Sequence, residues 1–219
     1  MEFFTAFALK VIASGSMLID HTGVIFDTPE YFRMIGRVAF PIYAYMIAQG
    51  CKYTNNIYRY SARLFIFALI SQIPFSFAFF QGYQLYINIF FTLFLGVCCV
   101  LIYEKVKMKT GWGVAILPAL PLLWVAEACR TDYGAVGVGL IFIIYLAGPE
   151  NRITRSVTMT AGLLILYWGD WIYFVFAMTA VVLVFLYNGK QGPRFKWAFY
   201  VFYPAHITAL GLIRLILSV

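Results

Sequence analysis

Long apolar runs alternate with short polar breaks along the whole chain, and that rhythm predicts its elements. Nine runs stand out, near residues 5–26, 35–51, 60–80, 86–104, 112–128, 133–148, 155–170, 171–187 and 197–217. An untilted helix needs ~20 apolar residues to cross a bilayer. The predicted fold is therefore all-α, a polytopic transmembrane helical bundle of about nine spans, with eight to ten compatible with the pattern. The stretch YWGDWIY (167–173) reads either as a tight turn between two short helices or as a break inside a long one. No polar tail, Gly/Ser linker or low-complexity tract marks a second unit, so residues 1–219 are expected to form one domain. The first residues lack a charged segment followed by a small-residue cleavage site, and no removable signal peptide is expected.

Composition narrows the class. The chain is 63% hydrophobic and 11% charged, with a mean hydropathy of +0.85. A soluble domain of this length has no use for so much apolar surface. The net charge of +7 would suggest a nucleic-acid partner in a soluble protein. In a membrane protein, basic loops on the cytoplasmic side account for it, and no nucleic acid is expected. The breaks do alternate. Lys52, Arg59 and Arg63 mark one, Lys105, Lys107 and Lys109 another, Arg152 and Arg155 a third, and Lys190, Arg194 and Lys196 the last. Between them fall QGYQ, CRTD and GD, poor in net positive charge. The alternation predicts a cytoplasmic N-terminus and, for an odd number of spans, an external C-terminus. Arg33 and Arg37, beside the first break, sit on the wrong side for this rule. Cys51, Cys98, Cys99 and Cys129 lack metal-ligand spacing and are expected to be reduced packing residues, and no metal site is expected.

Several positions carry candidate chemistry. In LKVIASGSMLIDHTGVIF (9–26) the apolar run holds Lys10, Asp20 and His21. Positions eleven apart on a helix return to within about 20° of each other, so Lys10 and His21 share a face, about 16 Å apart along the axis, with Ser14 on the same stripe. Such a stripe belongs inside the bundle or against a watery cavity, because charge in hydrocarbon is costly. Alternatively, Lys10 snorkels to the interface and Asp20–His21 cap the outer end of the helix. Snorkelling accounts for Lys10 alone. An imidazole takes and returns a proton near neutral pH. Asp20 points about 100° away from His21 on a regular helix, which suits orienting some other group.

Arg33 and Arg37, four apart in YFRMIGRVAFPIYAY, make either an anion site or a headgroup anchor, and Pro41 loosens the helix one turn on. Gln72 in SQIPF either lines a cavity or glues helices together. Asp132 in EACRTDYGAVGVG caps the following helix or faces a substrate. In FYVFYPAHITALGLIRL, His206 lies in mid-span two residues after Pro204, with Tyr203 beside it. It is either a functional intramembrane group or a neutral histidine bonding between helices.

The blocks LKVIASGSMLIDHTG, RMIGRVAFPIYAYMIAQG, RLFIFALISQIPF, DYGAVGV and FYVFYPAH, in this order across nearly the whole chain, resemble the TraX family. That family is associated with N-terminal acetylation of pilin subunits and is similar to a wider group of transmembrane acyltransferases. The wider group carries a basic residue, ten intervening residues and a histidine on its first helix. Lys10 and His21 match that pattern, with Lys where Arg is commoner.

The resemblance implies an integral-membrane acetyltransferase of the bacterial inner membrane. Acetyl-CoA would be the donor, and an amine or hydroxyl the acceptor, on a pilin-like peptide, another peptide or an amino sugar. His21 would act as general base or as a covalently acetylated nucleophile. Asp20 and His206 would support it. Lys10, Arg33 and Arg37 would serve the CoA phosphates or the acceptor, Ser14 the donor, and Gln72, Asp132 and Tyr203 the acceptor. Two competing functions use the same buried charges: transport of a small anion or proton-coupled solute, and a structural role in a secretion assembly.

Overall fold

The computed structural model describes residues 3–79, 86–193 and 195–217, without the side chain of Lys196. The QGYQ break and Arg194 lie outside the described residues. Among the described residues ten α-helices and one 3-10 helix follow one another: α1 (Ala6–Ile25), α2 (Tyr31–Gly36), α3 (Ala39–Tyr53), α4 (Ile57–Phe79), α5 (Ile89–Thr110), the 3-10 helix (Val114–Ala119), α6 (Pro121–Ala128), α7 (Gly134–Ala147), α8 (Arg152–Leu166), α9 (Trp171–Phe185) and α10 (Lys196–Leu217). The apolar runs locate these helices, but proline decides where two of the runs break. Pro41 has no amide hydrogen to give to the Arg37 carbonyl four residues back. The helix accordingly breaks at Arg37–Val38, so the predicted run 35–51 begins in the last two residues of α2 and continues in α3. Pro118 and Pro121 divide the run 112–128 in the same way, into the 3-10 helix and α6. YWGDWIY is a turn: Gly169 takes a positive φ of 88°, and Asp170 caps α9 by accepting from the Tyr173 amide.

Side-chain caps set other starts. Thr5 accepts from Ala8 N at α1, Asn88 from Phe90 N at α5, and Asn151 from Thr154 N at α8. The helices run alternately between two ends of the bundle. At one end the segment before α1 pairs with the segment after α9, through Phe3 N and Phe4 N to Leu186 O and Asn188 N to Phe4 O. Lys52 meets Glu150 there at 3.7 Å. At the other end residues 86–88 pair with 130–132, and the Tyr173 hydroxyl donates to Glu30. Helix α1 packs on α2, α3 and α10, α4 lies between α5 and α10, and α3 and α7 fill the centre.

Three helices, Ile57–Phe79, Ile89–Thr110 and Trp197–Leu217, are long and apolar enough to cross a membrane, and the others are shorter or less apolar. Their outward faces are oily. Ile66, Ile70, Ile73 and Phe77 of α4 and Leu212, Leu215 and Ile216 of α10 are all exposed, which suits a lipid solvent and not water. All five tryptophans are exposed as well. Trp112 and Trp197 lie toward the end that holds the Lys52–Glu150 pair, and Trp124, Trp168 and Trp171 toward the opposite end. Indoles at both ends of an apolar bundle match the aromatic belts of membrane proteins.

Candidate functional site

The site grows from the end of α1. Its predicted inward stripe does face the bundle. The Ser14 hydroxyl bonds the Tyr43 hydroxyl of α3 at 2.7 Å, and Lys10 Nζ sits 5.5 Å from the centre of the Phe199 ring on α10. About two turns further along, His21 Nδ1 lies 2.7 Å from His206 Nε2. The two rings are within 11° of parallel with centroids 4.9 Å apart, as an edge-to-edge hydrogen bond requires. His206 is buried and places its Nδ1 2.7 Å from the Phe202 carbonyl. Phe79 and Tyr203 close on His21 edge-on, at 5.0 and 5.9 Å between ring centres.

These contacts assign the protons. A carbonyl oxygen only accepts, so His206 Nδ1 must donate to Phe202. In the neutral ring, His206 Nε2 then carries a lone pair and accepts from His21 Nδ1–H. The remaining nitrogen of His21, Nε2, is left as a proton acceptor. A backbone carbonyl on α10 thereby sets the tautomer of a histidine on α1.

His21 borders a cavity of about 380 Å³ shared with Asp20, Arg33, Arg37, Asp132 and Tyr133. The Asp20 carboxylate accepts from Arg37 at 2.9 Å and from Arg33 at 3.4 Å. Arg37 is otherwise held by its Nε–H bond to the Arg33 carbonyl and by the Tyr173 ring, 4.8 Å away. Gly36 lies directly against Asp20, where a β-carbon would overlap the carboxylate. The break at Arg37–Val38 thus folds two guanidiniums back over α1. Arg33 remains partly exposed toward the cavity, with 36% of its side chain accessible.

Asp132 sits between α6 and α7, its carbonyl accepting from Thr92 and its amide donating to Ile87 O. Burial pushes its carboxyl up to about 6, with Asp20 adding to the shift and Arg37 and Arg33 opposing it. It does not cap α7. The carboxylate that takes an α7 amide is Glu127, from Ala135 N at 3.1 Å.

The structure brings Asp20, His21, Arg33, Arg37 and Asp132 around one cavity, with His206 and Tyr203 behind His21. Lys10 and Ser14 lie further down α1, toward the end that bears the Lys52–Glu150 pair. Gln72 stands apart from the cavity. Its Oε1 accepts from Asn88 N and Nδ2, and its Nε2 donates to Ser76 and to Tyr86 O, which ties α4 to the start of α5.

Sequence reasoning missed Tyr133, which stacks on Phe40 at 3.8 Å and takes a left-handed φ of 63°. Its one signal is its place before Gly134. Sequence reasoning also treated Arg63 as loop charge. Its guanidinium lies 5.7 Å over the Tyr60 ring while its Nε, like Gln49 Oε1, is buried without a hydrogen-bond partner among the described residues. Among the described residues no three His, Cys, Asp or Glu side chains gather as a metal ion requires.

The family model described as TraX protein matches residues 6–214. A curated relative, the probable fimbrial assembly protein FimC, serogroup H1, of Dichelobacter nodosus, is 28% identical, with the match covering 98% of each chain. No solved structure matches.

Proposed function

The chain belongs to the TraX family, and from that premise we propose that it is an inner-membrane acetyltransferase that moves an acetyl group from acetyl-CoA to the N-terminal amine of a pilin-like peptide. The observation that carries this proposal is the Phe202–His206–His21 hydrogen-bond chain, which leaves one imidazole nitrogen unprotonated beside a charged cavity. The name of the fimbrial relative supports a pilin-like acceptor.

Acetyl-CoA, when bound, supplies the acetyl group as an activated thioester. His21 Nε2 takes the proton that the acceptor amine must lose to become a nucleophile. The freed amine bonds to the acetyl carbon as the thioester C–S bond breaks, its second proton leaves with CoA as the thiol, and the imidazolium, held throughout by its Nδ1–H bond to His206, returns its proton to water. Asp132 receives the ammonium form of the acceptor, and the Asp20–Arg33–Arg37 cluster, one carboxylate against two guanidiniums, walls the cavity with a net positive charge. Lys10, Ser14, Arg63 and Gln49 fit the donor: they offer cationic and polar atoms at the opposite end of the α1 stripe, and Lys10 and His21 are about 16 Å apart along the helix. Acylation of His21 at the same Nε2 is the alternative course.

We place the bundle with nine crossings and a cytoplasmic N-terminus. Lys52, Lys105, Lys107 and Lys109 then fall inside, and the His21 cavity opens outward. Donor and acceptor approach from opposite sides, and only the acetyl group crosses. The test is mass spectrometry of a free-amine peptide incubated with acetyl-CoA and the purified protein in lipid nanodiscs. An added acetyl mass on the N-terminus is the expected result. Folded protein that leaves the peptide unmodified, yet carries anions across liposomes, would move the assignment to transport.

A further inference from the structure

The His21 cavity does not end at His21. A second cavity, of about 630 Å³, is lined by Tyr86, Glu127, Arg130, Thr131, Tyr133 and Gly134. Tyr86 and Tyr133 border both cavities, so the two are lobes of one cleft. Its floor is the pairing of residues 86–88 with 130–132, through Ile87 N to Arg130 O at 3.2 Å and Asp132 N to Ile87 O at 2.9 Å. Successive residues of an extended segment face opposite ways, and here Thr131 borders the second lobe while Asp132 borders the first.

Two features mark the second lobe as a site and not a packing defect. Thr131 is only 5% exposed, yet its hydroxyl has no hydrogen-bond partner among the described residues. A buried hydroxyl left unbonded is costly, and such a group signals a missing partner. In addition, two of the three non-glycine residues with positive φ among those described, Arg130 at 52° and Tyr133 at 63°, belong to this one loop. Such strain clusters at ligand-binding segments.

Resting on the acetyl-transfer proposal above, we infer that the second lobe is a subsite for the peptide chain beyond the reacting amine, so that the protein selects extended peptide acceptors over single amines. Thr131 bonds a backbone group of the acceptor. Arg130 faces acceptor carbonyls or acidic side chains. Glu127, which spends one oxygen on Ala135 N, faces donors. A peptide offers both kinds of group in every unit.

The test is equilibrium binding of pentaalanine amide with a free amino terminus, against alanine amide, to the full-length protein in nanodiscs, followed by acetyl transfer from acetyl-CoA to both. The pentapeptide is expected to bind at least about tenfold more tightly, and the ratio of transfer efficiencies to follow. Thr131→Val and Arg130→Gly, the latter relieving the left-handed backbone, are each expected to shrink that preference several-fold. Equal affinity for the two acceptors overturns the subsite. So does a preference that neither variant moves, or tighter binding of glucosamine than of the pentapeptide. Length-selective binding that depends on Thr131, without any transfer, upholds the cleft and overturns the acetyltransferase.

Discussion

Two buried arginines at opposite ends of the bundle meet different surroundings. Arg37, 8% exposed, pairs with the Asp20 carboxylate and borders the His21 cavity. Arg155, 4% exposed, pairs with no carboxylate among the described residues. It donates instead to the Tyr45 hydroxyl and to the Val184 and Tyr187 carbonyls, with the Tyr45 and Tyr187 rings against its face. Those carbonyls sit at the end of α9, where a helix presents unsatisfied acceptors and partial negative charge. Arg155 is thus a clamp that finishes a helix, and its positive charge answers a dipole. Arg37 is one half of a charge pair held at a cavity wall. Burial of an arginine marks structural demand, whereas a carboxylate partner beside open volume marks a site.

Breaking each arginine's environment separates the two roles. Asp20→Asn leaves Arg37 without its carboxylate, and losing one half of a buried pair costs on the order of 3 kcal/mol. A lower thermal midpoint together with transfer reduced at least about tenfold is expected, and wild-type transfer at lowered stability would deny the cluster any part in the site.

Arg155→Met removes three hydrogen bonds and leaves the α9 carbonyls bare, costing about 2 kcal/mol. Its effect should appear in detergent thermal unfolding, with the folded fraction keeping wild-type kcat. Gly36→Ala pushes Asp20 aside without removing any charge, so its transfer rate should fall between those of wild type and Asp20→Asn.

The smallest effect concerns Asp132. Its carboxyl ionises near pH 6 and not in the usual carboxylate range. Below that pH it is neutral and holds an ammonium poorly. Amine-acceptor affinity should therefore rise as pH increases through about 6, and Asp132→Asn should flatten that slope in a binding titration.

Much of the helix pattern was legible, because hydropathy reports which segments lie in apolar surroundings. The breaks within segments were less so. They depend on which carbonyl loses its donor, as Arg37 does to Pro41. His21, Arg33 and Arg37 mark the cavity in the sequence, because ionisable groups in an apolar run need polar surroundings. His206 is expected to support His21, but their direct hydrogen bond was not legible, since it joins positions 185 residues apart. Arg155 looked like loop charge, because its sequence neighbours Arg152 and Asn151 are polar. Only the packing of α8 on α9 reveals that its guanidinium turns inward. Asp132 was expected either to cap α7 or to face a substrate. The cap went to Glu127, because Tyr133 and Gly134 enter the helix through left-handed backbone.

The most direct test compares acetyl transfer to a free-amine peptide by wild type and His21→Ala in nanodiscs, with thermal unfolding to establish that both are folded. A general base beside the cavity predicts N-terminal acetylation by the wild type and a loss of about 10²- to 10⁴-fold in the variant. Undiminished transfer by folded His21→Ala would contradict a catalytic role for the paired histidines.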